Sequence, residues 1–275
     1  MISNIRFLKF CSRFFILLIP FSSIVDALPL DLKKSNYGVF IGINGDEEDK
    51  LQAYDIVVIE PAMFEASQIE KLHASGKTVY GYINIGAIEE YRPYYYRFRS
   101  IMFDIYETWP DERWIDVSSP VWQHFIINEL GKKYADMGMD GFFLDNADIY
   151  YHYHTDEIFQ GLVEILGGLR HYNIPLIING GDLFVKKCIE QNMVLIDGIN
   201  QESVFTTINF ENGTYGIQRE IETAYFQKYL TDVKAYGLSV YLLEYHASEE
   251  LSKKIDEYTN KNGFLWCTQP LNIRN

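Results

Sequence analysis

The chain has 275 residues and a formal net charge of −14, from 38 acidic and 24 basic side chains. This acidic balance excludes a nucleic-acid partner because phosphate binding needs a basic face, and three cysteines are too few for a disulfide scaffold. An acidic field attracts a cationic ligand, although the same charge also keeps a protein soluble.

The first 27 residues predict a secretory signal peptide. Arg6, Lys9 and Arg13 precede the apolar run 14–25, and Ala27 is a small residue at a candidate cleavage site. The run is short for a membrane span, so an uncleaved anchor is the weaker alternative. We therefore expect a secreted domain of residues 28–275, without stable membrane insertion after cleavage.

Eight apolar runs follow in chain order, with amphipathic segments between them. The runs are Tyr37–Ile43, Asp55–Ile59, Thr78–Asn84, Gly141–Asp145, Pro175–Asn179, Leu195–Asn200, Ser239–Glu244 and Gly263–Thr268. The segments with helical periodicity are Glu65–Ser75, Ser119–Met137, Asp156–Tyr172, Gln218–Tyr236 and Ser248–Lys261. This alternation predicts an α/β fold, a single-domain (β/α)₈ TIM-type barrel. An open doubly wound sheet is disfavoured because no G-x-G-x-x-G follows the first run.

The segment Glu89–Trp114 is the longest stretch without a clear periodic pattern. It is rich in tyrosine and arginine and follows the third predicted strand. Long loops in compact domains are usually functional or mobile. We expect an irregular loop that lies over the mouth of the barrel.

Polar and aromatic residues occur at the carboxyl ends of the predicted strands, where barrel enzymes place their chemistry. In chain order these are Asn44, Glu60, Asn84, Asp145 with Asn146 and Asp148, Asn179, Gln201 with Glu202, Glu244 with Tyr245, and Trp266 to Thr268. The pattern predicts a polar site at this end of the barrel.

Paired carboxylates are the chemistry that these strand ends favour. No G-x-S-x-G motif is present, and Cys188 falls in a helical pattern. His152 and His154 follow Asp145 closely, but they lack the spacing of metal ligands, so neither a metal nor a cofactor is predicted. Asp145 and Glu202 follow the fourth and sixth strands and would face each other across the mouth. Two such groups suffice to hydrolyse a glycosidic bond.

Four segments resemble glycoside hydrolase family 114, the endo-α-1,4-polygalactosaminidases. They are Y-G-Y-I-N-I-G-A-I-E-E-Y-R at 80–92, W-I-D-V-S-S-P-V-W at 114–122, G-M-D-G-F-F-L-D-N-A-D at 138–148 and D-G-I-N-Q-E-S-V-F at 197–205. The resemblance implies a (β/α)₈ hydrolase of α-1,4-linked galactosamine or N-acetylgalactosamine polymers, with the catalytic pair at Asp145 and Glu202. The acidity of the chain suits a cationic, partly deacetylated polymer.

We therefore predict Asp145 as the nucleophile and Glu202 as the general acid/base of a retaining, endo-acting and monomeric hydrolase. Inversion is the alternative, and the separation of the two carboxyl groups distinguishes them. The residues expected to bind sugar hydroxyls or the amine are Glu60, Asn84, Arg92, Asp148, Asn179, Glu244 and Tyr245, and those expected to stack on sugar rings are Tyr91, Tyr150 and Trp266. A non-catalytic polysaccharide-binding barrel and a lyase or transferase are the alternative functions.

Overall fold

Parallel strands with helices between them form the frame of the molecule. The computed structural model describes residues 36–210 and 212–269, which belong to one compact unit. The predicted signal peptide, residues 1–27, lies outside the described residues and stays a prediction.

All eight predicted barrel strands are present. The strands in chain order are β1 (Tyr37–Phe40), β2 (Ile56–Ile59), β3 (Thr78–Asn84), β4 (Ala87–Glu89), β5 (Met102–Tyr106), β6 (Trp109–Ile115), β7 (Gly141–Asp145), β8 (Leu176–Asn179), β9 (Gly198–Glu202), β10 (Thr206–Asn209), β11 (Thr214–Ile217), β12 (Ser239–Tyr245) and β13 (Leu265–Gln269). One sheet has the order β1-β2-β3-β7-β8-β9-β12-β13, and all of its pairs are parallel. Its edge strands β1 and β13 lie side by side, so the sheet is a nearly closed barrel. The predicted (β/α)₈ fold is confirmed.

Helices connect most of the barrel strands. The α-helices are α1 (Ala66–Ala74), α2 (Pro120–His124), α3 (Lys132–Asp136), α4 (Ile149–His152), α5 (Asp156–Leu169), α6 (Asp182–Glu190), α7 (Glu220–Ala235) and α8 (Glu249–Asn262). Short 3₁₀ turns cover Gly45–Leu51, Pro61–Met63, Tyr95–Ile101 and Arg170–Tyr172, and a π-helical segment, Phe125–Gly131, joins α2 to α3. The predicted helix Ser119–Met137 therefore exists as α2, a π segment and α3. No helix of the described part of the chain is both long and apolar enough to span a bilayer.

The core has two layers, because successive side chains of a strand point to opposite faces. On β3, Val79 and Ile83 belong to the layer between the strands and the helices, whereas Tyr80 and Tyr82 belong to a second cluster made only from the barrel strands. That second cluster fills the barrel interior. Its tyrosines are Tyr37, Tyr80, Tyr82, Tyr241 and Tyr245. Part of the high aromatic content is thus explained by the packing of the interior.

The expectation that Glu89–Trp114 is irregular is wrong. Strands β4, β5 and β6 lie in this region and form a separate antiparallel sheet of order β4-β6-β5. Pro93 and Pro110 interrupt this part of the sequence, so no periodic pattern marks the strands. A second hairpin, β10–β11, follows β9. This hairpin was not predicted, and α6 was expected only as the helical pattern around Cys188.

Cys188 and Cys267 are both buried and unpaired. Both positions are therefore free thiols, and no disulfide joins them. The stability of this domain consequently comes from packing and not from a covalent link between these positions.

Two glycines of α5 offer a matched test of the packing between this helix and the segment that follows β6. A Cβ at Gly161 would lie 2.6 Å from the backbone of Val117, whereas a Cβ at Gly167 would have no heavy atom within 4 Å. We expect Gly161→Ala to lower the free energy of unfolding by about 1–3 kcal/mol through overpacking. Gly167→Ala should raise it by about 0.4–1 kcal/mol because alanine restricts the unfolded chain. Chemical denaturation of both variants measures this, and a neutral Gly161→Ala would contradict the close approach.

Candidate active site

A sharp left-handed turn follows four consecutive strands of the barrel. The turn residues are Asn146, Gly180, Ser203 and His246, with φ between 50° and 66°. They directly follow Asp145, Asn179, Glu202 and Tyr245, the last residues of β7, β8, β9 and β12. A positive φ is unfavourable for serine and histidine, and such strain persists where the surroundings impose it, often at functional sites. At each position the chain leaves the strand at once, and the terminal side chain remains at the mouth.

One amide group joins the two predicted catalytic carboxylates. Asn179 Nδ2 donates to Asp145 Oδ1 at 2.9 Å and to Glu202 Oε1 at 2.7 Å. These two oxygens are therefore at most about 5.6 Å apart. The amide is itself oriented, because Asn200 Nδ2 donates to Asn179 Oδ1 at 2.7 Å. The Asn179 nitrogen must then point toward the carboxylates.

The second oxygen of each carboxylate accepts from a tyrosine. Tyr82 donates its hydroxyl to Asp145 Oδ2 at 2.9 Å, and Tyr245 donates to Glu202 Oε2. Both tyrosines are buried in the barrel interior. Each carboxylate is thus hydrogen-bonded at both of its oxygens, at one by the Asn179 amide and at the other by a tyrosine of the barrel interior.

Burial dominates the protonation of this pair. It raises the pKa of Asp145, while the hydrogen bonds from Asn179 and Tyr82 oppose the rise. It also raises the pKa of Glu202, against the hydrogen bond from Tyr245, and the charge of Asp145 raises it further. Two acids in such proximity do not both ionise easily, so the arrangement favours one proton shared by the pair.

A cavity of about 780 Å³ opens above the pair. The carboxylates on its described wall are Glu47, Glu112, Asp145, Asp148 and Glu202. The only cationic side chain on this described wall is Lys50, which pairs with Glu47. The rest of the wall includes the aromatic residues Tyr82, Tyr106, Trp109, Phe210 and Tyr245. The volume suits a ligand of a few sugar units in size, and the wall is strongly acidic.

Asp148 lies on the cavity wall close to the pair. Its Oδ2 accepts from the backbone N–H of Gly181 at 3.1 Å. Burial raises the pKa of Asp148 to about 7, and the charges of Asp145, Asp182 and Glu202 add to the effect. Near neutral pH this carboxyl therefore lies close to its titration midpoint.

Five of the predicted site residues lie on this wall. They are Asp145, Asp148, Asn179, Glu202 and Tyr245. The other seven do not line the cavity, and their contacts give the reason in each case.

Glu244 is a buried anchor for the loop after Glu202. Its two oxygens accept from the backbone N–H groups of Val204, Phe205 and Thr206 at 2.8–3.2 Å, and from the Thr206 hydroxyl at 2.6 Å. The side chain is fully buried. Since its acceptors are all engaged by this loop, Glu244 positions the segment behind Glu202 and does not face the cavity.

Glu60 and Arg92 form an internal ion group with Glu89. Arg92 Nη2 lies 2.7 Å from Glu60 Oε2 and 3.0 Å from Glu89 Oε1, and all three side chains are at most 6% exposed. A guanidinium that satisfies two carboxylates in this way has its donors directed inward. The group ties the end of β2 to the β4–β6 sheet.

The remaining predicted residues also have other contacts. Asn84 Oδ1 accepts from Asn146 Nδ2 and from the N–H of Ala87 behind the cavity wall. Of the predicted stacking residues, Tyr150 is 2% exposed, Tyr91 packs beneath the Arg92 guanidinium, and Trp266 donates to Asp256 on α8. None of these three rings lines the cavity.

The sequence reasoning missed Tyr82, Glu112, Trp109 and Phe210. Tyr82 was detectable, because it lies two residues before the end of β3 and alternation places it on the interior face. The other three lie on two hairpins that were not predicted, although the Asn212-Gly213 turn of the second is a known hairpin signal. In the described part of the chain no group of three or more metal-ligating side chains occurs.

A barrel with two hydrogen-bonded carboxylates at the carboxyl ends of its strands has the architecture of a glycoside hydrolase. The sequence profile of glycoside-hydrolase family GH114 matches residues 33–272, so the chain belongs to this family. It is therefore a glycoside hydrolase, as the sequence predicted. No curated protein sequence matches the chain.

Solved structures share the fold at low sequence identity. The glycoside hydrolase domain of PelA from Pseudomonas aeruginosa has a TM-score of 0.72 at 15% identity, over 88% of this chain and 96% of that one. Ega3 of Aspergillus fumigatus, solved with galactosamine, gives 0.66 at 16% identity, over 88% and 93%. The α-galactosidase TtGalA of Thermus thermophilus gives 0.58 at 11%, over 88% and 59%. At these identities the likeness shows the fold alone.

The raised pKa of Asp148 makes the stability of the domain depend on pH. The ordinary pKa of an aspartate is 3.8, and the pKa of Asp148 in the folded state is about 7. Because the folded state binds this proton more tightly, Asp148 contributes to stability fully below pH 4, and the contribution is lost as pH rises through 7. We expect the free energy of unfolding of the wild type, relative to Asp148→Asn, to fall over this window by up to about 1.4 kcal/mol per pH unit. Denaturant titrations at several pH values measure it.

Asp156→Asn is the matched control, since the Asp156 side chain is 90% exposed. Its free energy of unfolding should follow that of the wild type across the same window. An Asp148→Asn variant with the wild-type pH dependence would contradict the assignment.

Proposed function

We propose that this glycoside hydrolase cleaves polysaccharides of α-1,4-linked galactosamine or N-acetylgalactosamine, with Asp145 as nucleophile and Glu202 as general acid/base. The observation that carries the proposal is the Asn179 amide, which donates to both carboxylates at the mouth of the barrel. The galactosamine bound to Ega3, a protein of the same fold, supports an amino-sugar substrate.

In the first step Glu202 gives its proton to the glycosidic oxygen. Asp145 attacks the anomeric carbon, the bond from that carbon to the oxygen breaks, and the leaving chain departs as an alcohol. The raised pKa of Glu202 supports the role of acid because it keeps the group protonated at higher pH. Water deprotonated by Glu202 then cleaves the glycosyl-enzyme ester and regenerates both groups.

The separation of the two carboxylates supports retention of configuration. Retaining enzymes hold them about 5–5.5 Å apart, and inverting enzymes about 6.5–9.5 Å to admit a water molecule. The bridging amide holds Asp145 Oδ1 and Glu202 Oε1 at most about 5.6 Å apart, which is nearer to the retaining range. We propose the retaining mechanism on this basis.

The acidic wall supports a cationic substrate. An ammonium group on each deacetylated sugar would be attracted by the ionised carboxylates of the cavity, because the one cation of its described wall, Lys50, is already paired with Glu47. Asp148 is our candidate partner for one such amine, because it lies next to the pair. Endo cleavage, export by the N-terminal segment and a monomeric state complete the proposal.

The carboxylate pair is tested by Asp145→Asn and Glu202→Gln. Each should lower kcat/KM on α-1,4-galactosaminan by at least about 10³-fold, because each removes a group that acts on the reacting atoms. Melting temperatures should stay near that of the wild type, and the control Glu250→Gln, whose side chain is 83% exposed, should keep full activity. A reducing-end assay measures the rates, and full activity of either variant would refute the pair.

Azide distinguishes the two roles. With an activated α-galactosaminide and azide, Glu202→Ala should form the α-azide, because azide replaces the water of the second step. Asp145→Ala should form the β-azide by direct displacement. The opposite pattern would exchange the roles, and a β-configured sugar released by the wild type would refute retention.

Salt dependence tests the charge of the substrate. We expect KM for fully deacetylated galactosaminan to rise several-fold between about 0.02 and 0.5 M NaCl, since salt screens the carboxylates of the wall. KM for the fully N-acetylated polymer, which is neutral, should stay nearly constant. Equal salt dependence for both polymers would remove the argument for a cationic substrate.

A further inference from the structure

Two aromatic side chains from different loops meet at the cavity. Trp109 lies at the start of β6, beside the tip of the β5–β6 hairpin, and Phe210 follows β10 in the second hairpin. Their ring centroids are 4.7 Å apart with planes inclined at 50°. Both side chains are partly exposed, and both line the cavity. We call this contact the aromatic bridge.

The position of the bridge follows from the strand order. The first hairpin belongs to the connection after β3 and the second to the connection after β9, while β7 and β8 lie between these strands. A contact between the two hairpins therefore spans the ends of β7 and β8. Asp145 and Asn179 are the last residues of these two strands, so the bridge crosses the cavity above the carboxylate pair.

The bridge is connected to the Glu202 side of the pair. Phe210 packs edge-on against Tyr245 at 5.8 Å, and the Tyr245 hydroxyl donates to Glu202. A sugar ring beneath Phe210 would thus be next to the group proposed to protonate the leaving oxygen. That is the place of the sugar on the leaving side of the cleaved bond.

Simple packing explains only part of this arrangement. Aromatic rings of a hydrophobic core are buried, whereas these two rings are partly exposed and line a cavity whose wall carries several carboxylates. A sugar of galacto configuration offers a matching surface, because its axial 4-hydroxyl leaves the C–H groups of carbons 3, 4 and 5 together on one face. Such an apolar face packs on an aromatic ring, and the hydroxyls stay directed toward polar groups.

We propose that Trp109 and Phe210 bind the apolar face of the sugar on the leaving side of the scissile bond and so select galacto-configured polymers. The proposal rests on the function proposed above, because the leaving side is defined by Glu202. Neither ring touches the reacting atoms, so both are positioning residues for the substrate.

Two substrates test the proposal. One is α-1,4-galactosaminan, and the other is α-galactosaminyl fluoride, whose leaving group contains no sugar. For Trp109→Ala and Phe210→Leu, kcat/KM on the polymer should fall about 10- to 100-fold, mainly through KM, while kcat/KM on the fluoride changes by less than about 2-fold. Trp109→Phe keeps an aromatic face and should retain most of the activity on the polymer.

Phe103→Ala is the matched control. Phe103 lies on β5 of the same small sheet, is 37% exposed and packs on Tyr153, and it is not part of the cavity wall. It should leave both rates unchanged. Calorimetric titration of galactosamine oligomers into Glu202→Gln, with and without Trp109→Ala, measures the lost binding directly.

Two results would overturn the proposal. Unchanged polymer cleavage by Trp109→Ala would show that the ring does not hold the substrate, and equal losses on polymer and fluoride would show a structural role only. In both cases an active wild type leaves the proposed function standing. A folded wild type that neither binds nor cleaves amino-sugar substrates would instead overturn the proposed function, and this inference with it.

Discussion

The candidate active site is held together by two hydrogen bonds from the Asn179 amide nitrogen, one to the Asp145 carboxylate and one to the Glu202 carboxylate. Asp145 and Glu202 come from strands separated by a single strand, β8, and Asn179 ends that strand. Two carboxylates so close in a partly buried site repel each other, and a donor between them offsets this repulsion. The amide works only if its nitrogen faces the pair, which the bond from Asn200 ensures. The hydrogen bonds among four side chains of β7, β8 and β9 thus depend on the orientation of the Asn179 amide. These side chains are Asp145, Asn179, Asn200 and Glu202.

The loops around this centre are held by ionisable side chains that do not line the cavity. Glu244 accepts hydrogen bonds from three successive backbone N–H groups behind Glu202. Arg92 forms ion pairs with Glu60 and Glu89 beneath the small sheet. Buried charges are costly unless they are paired or hydrogen-bonded. Here each of them holds a loop that is adjacent in the chain to residues of the cavity wall. The carboxylates that line the cavity and those that hold the loops consequently have different roles, although both kinds occur at or near strand ends.

Periodic and local patterns allowed much of the structure to be predicted. Every barrel strand was found because parallel strands covered on both faces are unbroken apolar runs. Asp145, Asp148, Asn179, Glu202 and Tyr245 were placed at the cavity because strand ends meet at one rim. By contrast, strands β4 to β6 are irregular in sequence, since β4 pairs with the distant β6 and Pro110 lies within β6. The β10–β11 hairpin is short, and the Asn212-Gly213 turn is its main sequence signal. Trp109, Glu112 and Phe210 therefore escaped prediction together with the hairpins that carry them.

The sequence by itself determined the barrel, the rim on which the chemistry lies and the family to which the chain belongs. The family resemblance singled out Asp145 and Glu202 as the catalytic pair, but the sequence also placed Glu60 and Glu244 in the site, because all four are acids at or near the end of a buried strand. Tertiary structure decided which of them faces the cavity and which turns inward to an arginine or to backbone N–H groups. The physical reason is that the state and direction of a buried carboxylate depend on the donors around it. Those donors come from residues that are distant in the sequence.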